Sequence, residues 1–226
     1  MTFYILTLFP EIFESVFEKS IIKRAASKKL IKIKYINIRD FGTGTHKMVD
    51  DTPYGGGQGM VMKVDVLANA LKTIKPKPFT VLLSAGGKKY NQKKAQTLSK
   101  KKNIAIICGH YEGVDARVEN FVDEVLSIGD YILTGGEIPA MLLVDSITRL
   151  LPGSLNPKSP KDESFEKGIL EYPQYTRPEV YKGQHVPKVL LLGNHAEIKK
   201  WRSQQALQRT KEYRPDLLKS RQTKRE

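Results

Sequence analysis

Three short apolar runs, each opening into a glycine-bearing loop, constrain this chain most. They are "FTVLLSAGG" from Phe79, "NIAIICGHYEG" from Asn103 and "DEVLSIGDYILTGG" from Asp123. Each run is too short for a helix and is bounded by glycine, so it reads as a buried strand. Helical patterns, "NQKKAQTLSK" and "VDARVENFV", lie between them. Upstream, "TFYILTLF" reads as another buried strand. "PEIFESVFEKSIIKRAASKKL" reads as a helix, with Pro10 near its start and Ile12, Phe13, Val16 and Phe17 at helical spacing. "IKIKYINIRD" alternates like a strand with one wet face. Strands alternating with helices predict an α/β layer around a mostly parallel sheet.

The next segment, "EIPAMLLVDSITRLLPG", predicts an amphipathic helix closed by Pro152 and Gly153. Then the character changes. "SLNPKSPKDESFEKG" is Ser-, Pro- and Lys-rich with few apolar residues, as a linker is. "EIKKWRSQQALQRTKEYRPDLLKSRQTKRE" follows with a basic helical pattern around Trp201, Ala206 and Leu207. The expected organisation is a main domain over 1–155, a linker over 156–165 and a small basic helical domain over 166–226.

A formal charge of +14 over 226 residues favours a polyanionic partner, nucleic acid ahead of an anionic membrane. One cysteine, Cys108, excludes an internal disulfide and a multi-cysteine zinc site, and its apolar setting suits a small buried hydrophobe. The opening "MTFYILTLFP" is too short to span a bilayer and lacks the basic flank and cleavage site of a signal peptide, so a cytosolic protein is expected.

In open α/β sheets, ligands bind at the carboxyl ends of the strands, where the three glycine loops lie. None is a phosphate cradle: G-x-x-x-x-G-K-[ST] is absent, and "GTGTHK" lacks the third glycine of the dinucleotide fingerprint. A nucleotide-like ligand without a pyrophosphate fits better, gripped by backbone groups, with Tyr131, Ile132 and Leu133 as apolar walls. For any one loop, glycines serving only as turn and cap residues explain as much; three loops on one edge favour a site. "VDDTPYGGGQGM" is costly to order and reads equally as a lid, a substrate-contacting loop or a flexible connection. His46, His110, His185 and His195 have neither metal spacing nor a serine partner, and each reads as structural. Asp162 and Glu163 in the linker read as solvated, unless an arginine such as Arg149 faces them across a substrate, where they would be base and anion stabiliser.

Together, "DDTPYGGGQGM", "CGHYEGVDARV", "SIGDYILTGGE", "PGSLN", "SFEKGILEYPQYTRPEVYKG" and "WRSQQALQRT" resemble the bacterial tRNA (guanine-N1)-methyltransferase family, in order and over nearly the whole chain. That family methylates the guanine immediately 3′ of the anticodon. The resemblance implies a trefoil-knotted, SPOUT-like α/β domain, a rare exception to the rule against threading. It also implies a homodimer whose active sites are shared between subunits, and S-adenosylmethionine bound in bent form among the knot loops. By motif, the cofactor contacts would be Leu83, Ser84, Gly109, Glu112, Ile128, Gly129, Asp130, Tyr131, Ile132, Leu133, Gly135 and Gly136. Arg149 matches the family's catalytic arginine. The acid immediately before "SF" is Glu163, where the family carries aspartate. Glutamate reaches ~1.5 Å further, and a linker one residue shorter makes Asp162 the alternative base. Asp50 resembles a family residue near the target base, and Glu171 one implicated in RNA binding. The family's activity is linked to magnesium, although no complete coordination set can be read here. The rival expectations are another knotted RNA methyltransferase, acting on a ribose hydroxyl or ribosomal RNA, and a non-catalytic RNA-binding protein.

Overall fold

The structure is a computed structural model that describes residues 1–155 and 163–218. The chain divides into two compact units, Met1–Asn156 and Pro157–Glu226. In the first, β1 (Thr2–Thr7), β2 (Lys32–Asn37), β5 (Phe79–Lys89), β6 (Asn103–Ile107) and β7 (Glu124–Ser127) form one sheet, ordered β2-β1-β6-β5-β7. Every pairing is parallel, with Phe3 opposite Ile33 on one side and Ile104 on the other. A parallel sheet covered on both faces explains why β1, β5 and β6 read as continuous apolar runs.

Alternate residues feed two cores. Phe3, Ile5, Val81, Leu83, Ile104 and Ile106 pack on one face, with Ile22 and Ala25 of α2 (Ser20–Ser27), Leu98 of α4 (Gln92–Leu98), and Ala140, Leu143, Val144 and Ile147 of α5 (Glu137–Thr148). Leu6, Leu82, Ala105 and Ile107 pack on the other, with Val66, Leu67 and Ala70 of α3 (Val64–Lys72). The period of two along a strand sends neighbouring side chains to opposite faces.

Several elements differ from the sequence expectation. The segment from Pro10 is broken into a 3₁₀ turn (Pro10–Phe13), a short α1 (Glu14–Phe17) and α2, with Ser20, the first residue of α2, at φ 52°. The "DARVENF" stretch forms a 3₁₀ helix, Ala116–Phe121, begun by Asp115, whose side chain accepts from Arg117 N. α5 is less amphipathic than its pattern suggests, because Ile138 and Leu142 stay exposed opposite the buried face. Asp50–Asp51 (β3) and Val61–Met62 (β4) form a small antiparallel pair that closes the glycine-rich loop between them. The second unit carries a hairpin of β8 (Val180–Tyr181) and β9 (Gln184–His185) before its long helix α6 (His195–Tyr213). Asn194 caps α6, its Oδ1 accepting from the backbone of Ala196 and Glu197. Thr210, fully buried, joins Leu170 N to the helix.

Candidate active site

β6, β5 and β7 are neighbours in the sheet, so the loops after β6 and β7 lie beside the "SAGG" stretch, which the sequence marked as a loop but which is an irregular part of β5. Between them lies a cavity of about 330 Å³. Leu83, Ser84, Gly109, Glu112, Ile128, Gly129, Tyr131, Ile132, Leu133, Gly135 and Gly136 all line it. Asp130 does not: its carboxylate turns outward to Lys89 Nζ, 3.0 Å away, in an exposed ion pair. Within β5 the pairing with β7 jumps between Leu83 and Lys88, and this irregularity lifts Ser84 and Ala85 to the cavity mouth. Tyr131, Ile132 and Leu133 form its open side and remain solvent-exposed, Ile132 by 84%.

The loops are pinned to one another by backbone contacts. Gly136 N donates to Gly109 O at 2.9 Å, joining the β7 loop to the β6 loop. A Cβ on Gly136 would stand 2.5 Å from Cys108 Cα, so no larger residue permits this approach. Ser127 Oγ donates to Gly129 O at 3.0 Å and tightens the turn at the start of the β7 loop. The glycine-rich loop adjoins the same wall: Glu112 N donates to Met60 O, and Met62 N to Gly113 O, both at 3.0 Å. There Gly59, at φ +79°, leaves room for the Glu112 carboxylate, which a Cβ would meet at 2.5 Å.

The cavity's charge is opposite to the chain's. Glu112 and Glu119 line it, and among the described residues no lysine or arginine does. Cys108, behind the wall, is fully buried; burial first and the Glu137 carboxylate second push its thiol well above the usual range, which removes it as a nucleophile. Two residues not assigned to the site lie here. His110 lines the cavity, and its Nε2 is 2.7 Å from Glu137 Oε2. By sequence pattern alone His110 counts among the structural histidines and Glu137 carries no assignment. The available signal was an acid leading a largely apolar helix.

The remaining candidates fall in both units. Arg149 ends α5, half-buried, with its backbone N–H on Asp145 O at 3.1 Å. Asp50, half-buried, pairs with Met62 in the β3–β4 ladder and does not line the cavity. In the second unit, Glu163 and Glu171 line one cleft of about 400 Å³ together with Lys167, Lys199 and Arg202. The Arg202 guanidinium lies over the Tyr172 ring at 4.6 Å, and Trp201 packs against Tyr175. Asp162 lies outside the described residues. Among the described residues no group of three or more His, Cys, Asp or Glu could hold a metal ion, so magnesium is given no site. No helix of the described residues is long and apolar enough to cross a membrane.

A family model described as tRNA (Guanine-1)-methyltransferase TrmD matches residues 1–220. The chain belongs to this family. Its relatives include proteins named tRNA (guanine-N(1)-)-methyltransferase. The one from Caldanaerobacter subterraneus is 54% identical over 222 residues, covering 97% of this chain and 92% of that protein. The one from Ruminiclostridium cellulolyticum is 51% identical over 224 residues, covering 96% of each. The one from Carboxydothermus hydrogenoformans is 54% identical over 220 residues, covering 96% of this chain and 87% of that protein. The matched residues span both units.

Proposed function

We propose that this protein transfers a methyl group from S-adenosylmethionine to N1 of the guanine immediately 3′ of the anticodon in tRNA. The observation that carries the reading is the cavity lined by Glu112 and Glu119 at the carboxyl ends of three parallel strands, in a chain of the tRNA (guanine-1)-methyltransferase family. S-adenosylmethionine is a nucleoside without a pyrophosphate, and its sulfonium is positive. Glycine backbone suits its polar edges, the Tyr131–Leu133 run its apolar surface, and Glu112 and Glu119 its charge. When bound, it supplies an electrophilic methyl group.

The protein's own residues prepare the nucleophile. Guanine N1 carries a proton and attacks poorly until that proton leaves. Glu163, with Asp162 as the alternative, accepts it as general base. Negative charge then grows on O6, where the planar fork of Arg149 stabilises it. Alignment of N1 with the methyl group by the cavity and the RNA-binding surface contributes the rest. Asp50 lies near the target base and Glu171 contacts the RNA in this reading.

Residues 1–155 form the knotted cofactor domain, 156–165 the linker, and 166–226 the tRNA-binding domain. For the knot, the support is the end of the β7 loop at Gly136 pressed against the backbone of Cys108 and Gly109, as a threaded segment is. For a homodimer with shared active sites, the support is the apolar surface left exposed on the first unit at Ile132, Ile138 and Leu142. The place of work is the cytoplasm, where tRNA is. The deciding experiment is methyl transfer to a tRNA transcript with guanine after the anticodon, against the same transcript with adenine there. Equal labelling of the two, or of neither, overturns the reading.

A further inference from the structure

Glu137, the first residue of α5, is only 4% exposed, yet both of its carboxylate oxygens are engaged. Thr7 Oγ1 donates to Oε1 at 2.6 Å, and Oε2 lies 2.7 Å from His110 Nε2. With Glu137 as a carboxylate, which only accepts, the histidine nitrogen is the donor of this bond. Phe9 N donates to Thr7 Oγ1 at 3.0 Å, which completes the chain at its far end. The three side chains come from the end of β1, the loop after β6 and the start of α5. Of the three, only His110 reaches the cavity wall.

An acid in the first turn of a helix interacts well with the helix dipole, but a solvent-facing acid does that without burial. Burying a carboxylate is costly unless it is fully paired, and an apolar residue would pack more cheaply. The arrangement around it shows what the burial achieves. The His110 ring stands edge-on to Phe9, with centroids 5.1 Å apart. A Cβ on Gly135 would run into that ring and come within 2.6 Å of Glu137 Oε2. The ring is therefore clamped between the β6 loop that carries it and the β7 loop that closes the opposite side.

We propose that His110 is a positioning residue for the cofactor cavity, oriented by the Thr7–Glu137 chain. It sets how far the Gly109–Gly113 wall stands from the Gly135–Gly136 wall, and so sets cofactor affinity without touching tRNA or the N1 proton. This rests on the reading that the cavity takes S-adenosylmethionine.

The test is calorimetric titration of the full-length protein with S-adenosylmethionine, and separately with tRNA, alongside steady-state kinetics. Wild type comes first: if it does not bind the cofactor, the reading of the cavity falls. Glu137→Gln and His110→Leu should each weaken cofactor binding about tenfold or more, the usual effect of losing a charge-assisted hydrogen bond. Their tRNA affinity should stay within about twofold of wild type, and KM for the cofactor should rise more than kcat falls. His110→Gln, which keeps a donor near the Nε2 position, should recover most of the loss. The double variant should bind no worse than the weaker single one, because both break one unit. Thr7→Val removes only a hydroxyl and should show a smaller loss in the same direction; it carries the test if His110→Leu does not fold. Cofactor affinity within twofold of wild type in Glu137→Gln and Thr7→Val overturns the inference. So does a parallel loss of cofactor and tRNA affinity, which a merely structural pair would give.

Discussion

Replacing Gly136 by alanine isolates the close approach of the two loops that wall the cavity. Gly136 has φ −81° and ψ −3°, a conformation any residue adopts, so the substitution carries no backbone strain. The new Cβ would stand 2.5 Å from Cys108 Cα, 2.9 Å from Gly109 N and 3.0 Å from Cys108 C, all backbone atoms that no rotamer change can move. Relief to ordinary contact requires the loops to part by about 1 Å. That separation also stretches the 2.9 Å bond from Gly136 N to Gly109 O. Overpacking of this kind costs about 1–3 kcal/mol and the lost hydrogen bond about 1, while alanine returns roughly 0.5–1 by restricting the unfolded chain. The net destabilisation is about 1–3 kcal/mol. For a chain of this size the melting temperature should fall by about 3–10 °C. Cofactor affinity should fall with it, because the wall that moves is the one proposed to bind the cofactor. Thermal unfolding and calorimetric titration with S-adenosylmethionine measure both effects. The control is Gly86→Ala in the irregular stretch of β5, whose Cβ would meet nothing nearer than Ser84 Oγ at 4.0 Å and which should match wild type within about 1 kcal/mol. If Gly136→Ala proves as stable and as tight-binding as Gly86→Ala, the loops do not need this contact and the argument fails.

Arg149→Lys keeps the charge but not the planar fork, and the single-turnover rate should drop roughly 10²–10³-fold with cofactor affinity unchanged; near-normal turnover would leave Arg149 as a helix-end cation only. Glu163→Gln should lose about 10²–10⁴ in the same assay, Glu163→Asp should be slowed, and Asp162→Asn should be mild; an active Glu163→Gln beside a dead Asp162→Asn moves the base to Asp162. The Tyr90 hydroxyl is pushed up to about 12 by burial, against the lowering effect of its bond to Ser146, 2.7 Å away. The folded state therefore favours the neutral phenol, and that advantage is complete below pH 10 and lost as pH rises towards 12. Urea unfolding should show wild type about 1 kcal/mol more stable than Tyr90→Phe at neutral pH, with the lead shrinking between pH 10 and 12; a constant lead across that range would contradict the burial argument.

The sequence by itself determined the parallel α/β layer, because strands buried on both faces must be apolar throughout and the glycine loops mark where they end. It also marked the edge that carries the cavity, and its six motifs carried the family. Local pattern did not determine how helices break: the run from Pro10 has helical spacing, yet Ser20 takes a positive φ and the segment turns there. The 3₁₀ form of Ala116–Phe121 was equally hidden, since its apolar spacing also suits an α-helix. Asp130 sits inside the most distinctive motif, but its direction depends on Lys89, a residue 41 positions away that the chain brings beside it only once the sheet is formed. His110 and Glu137 are the clearest case. Separately they are a histidine after a strand and an acid before a helix. They become a bonded pair, Glu137 buried and His110 at the cavity wall, because β1, β6 and α5 meet at one sheet edge, and a partner 27 or 130 residues distant leaves no periodicity for a sequence to display.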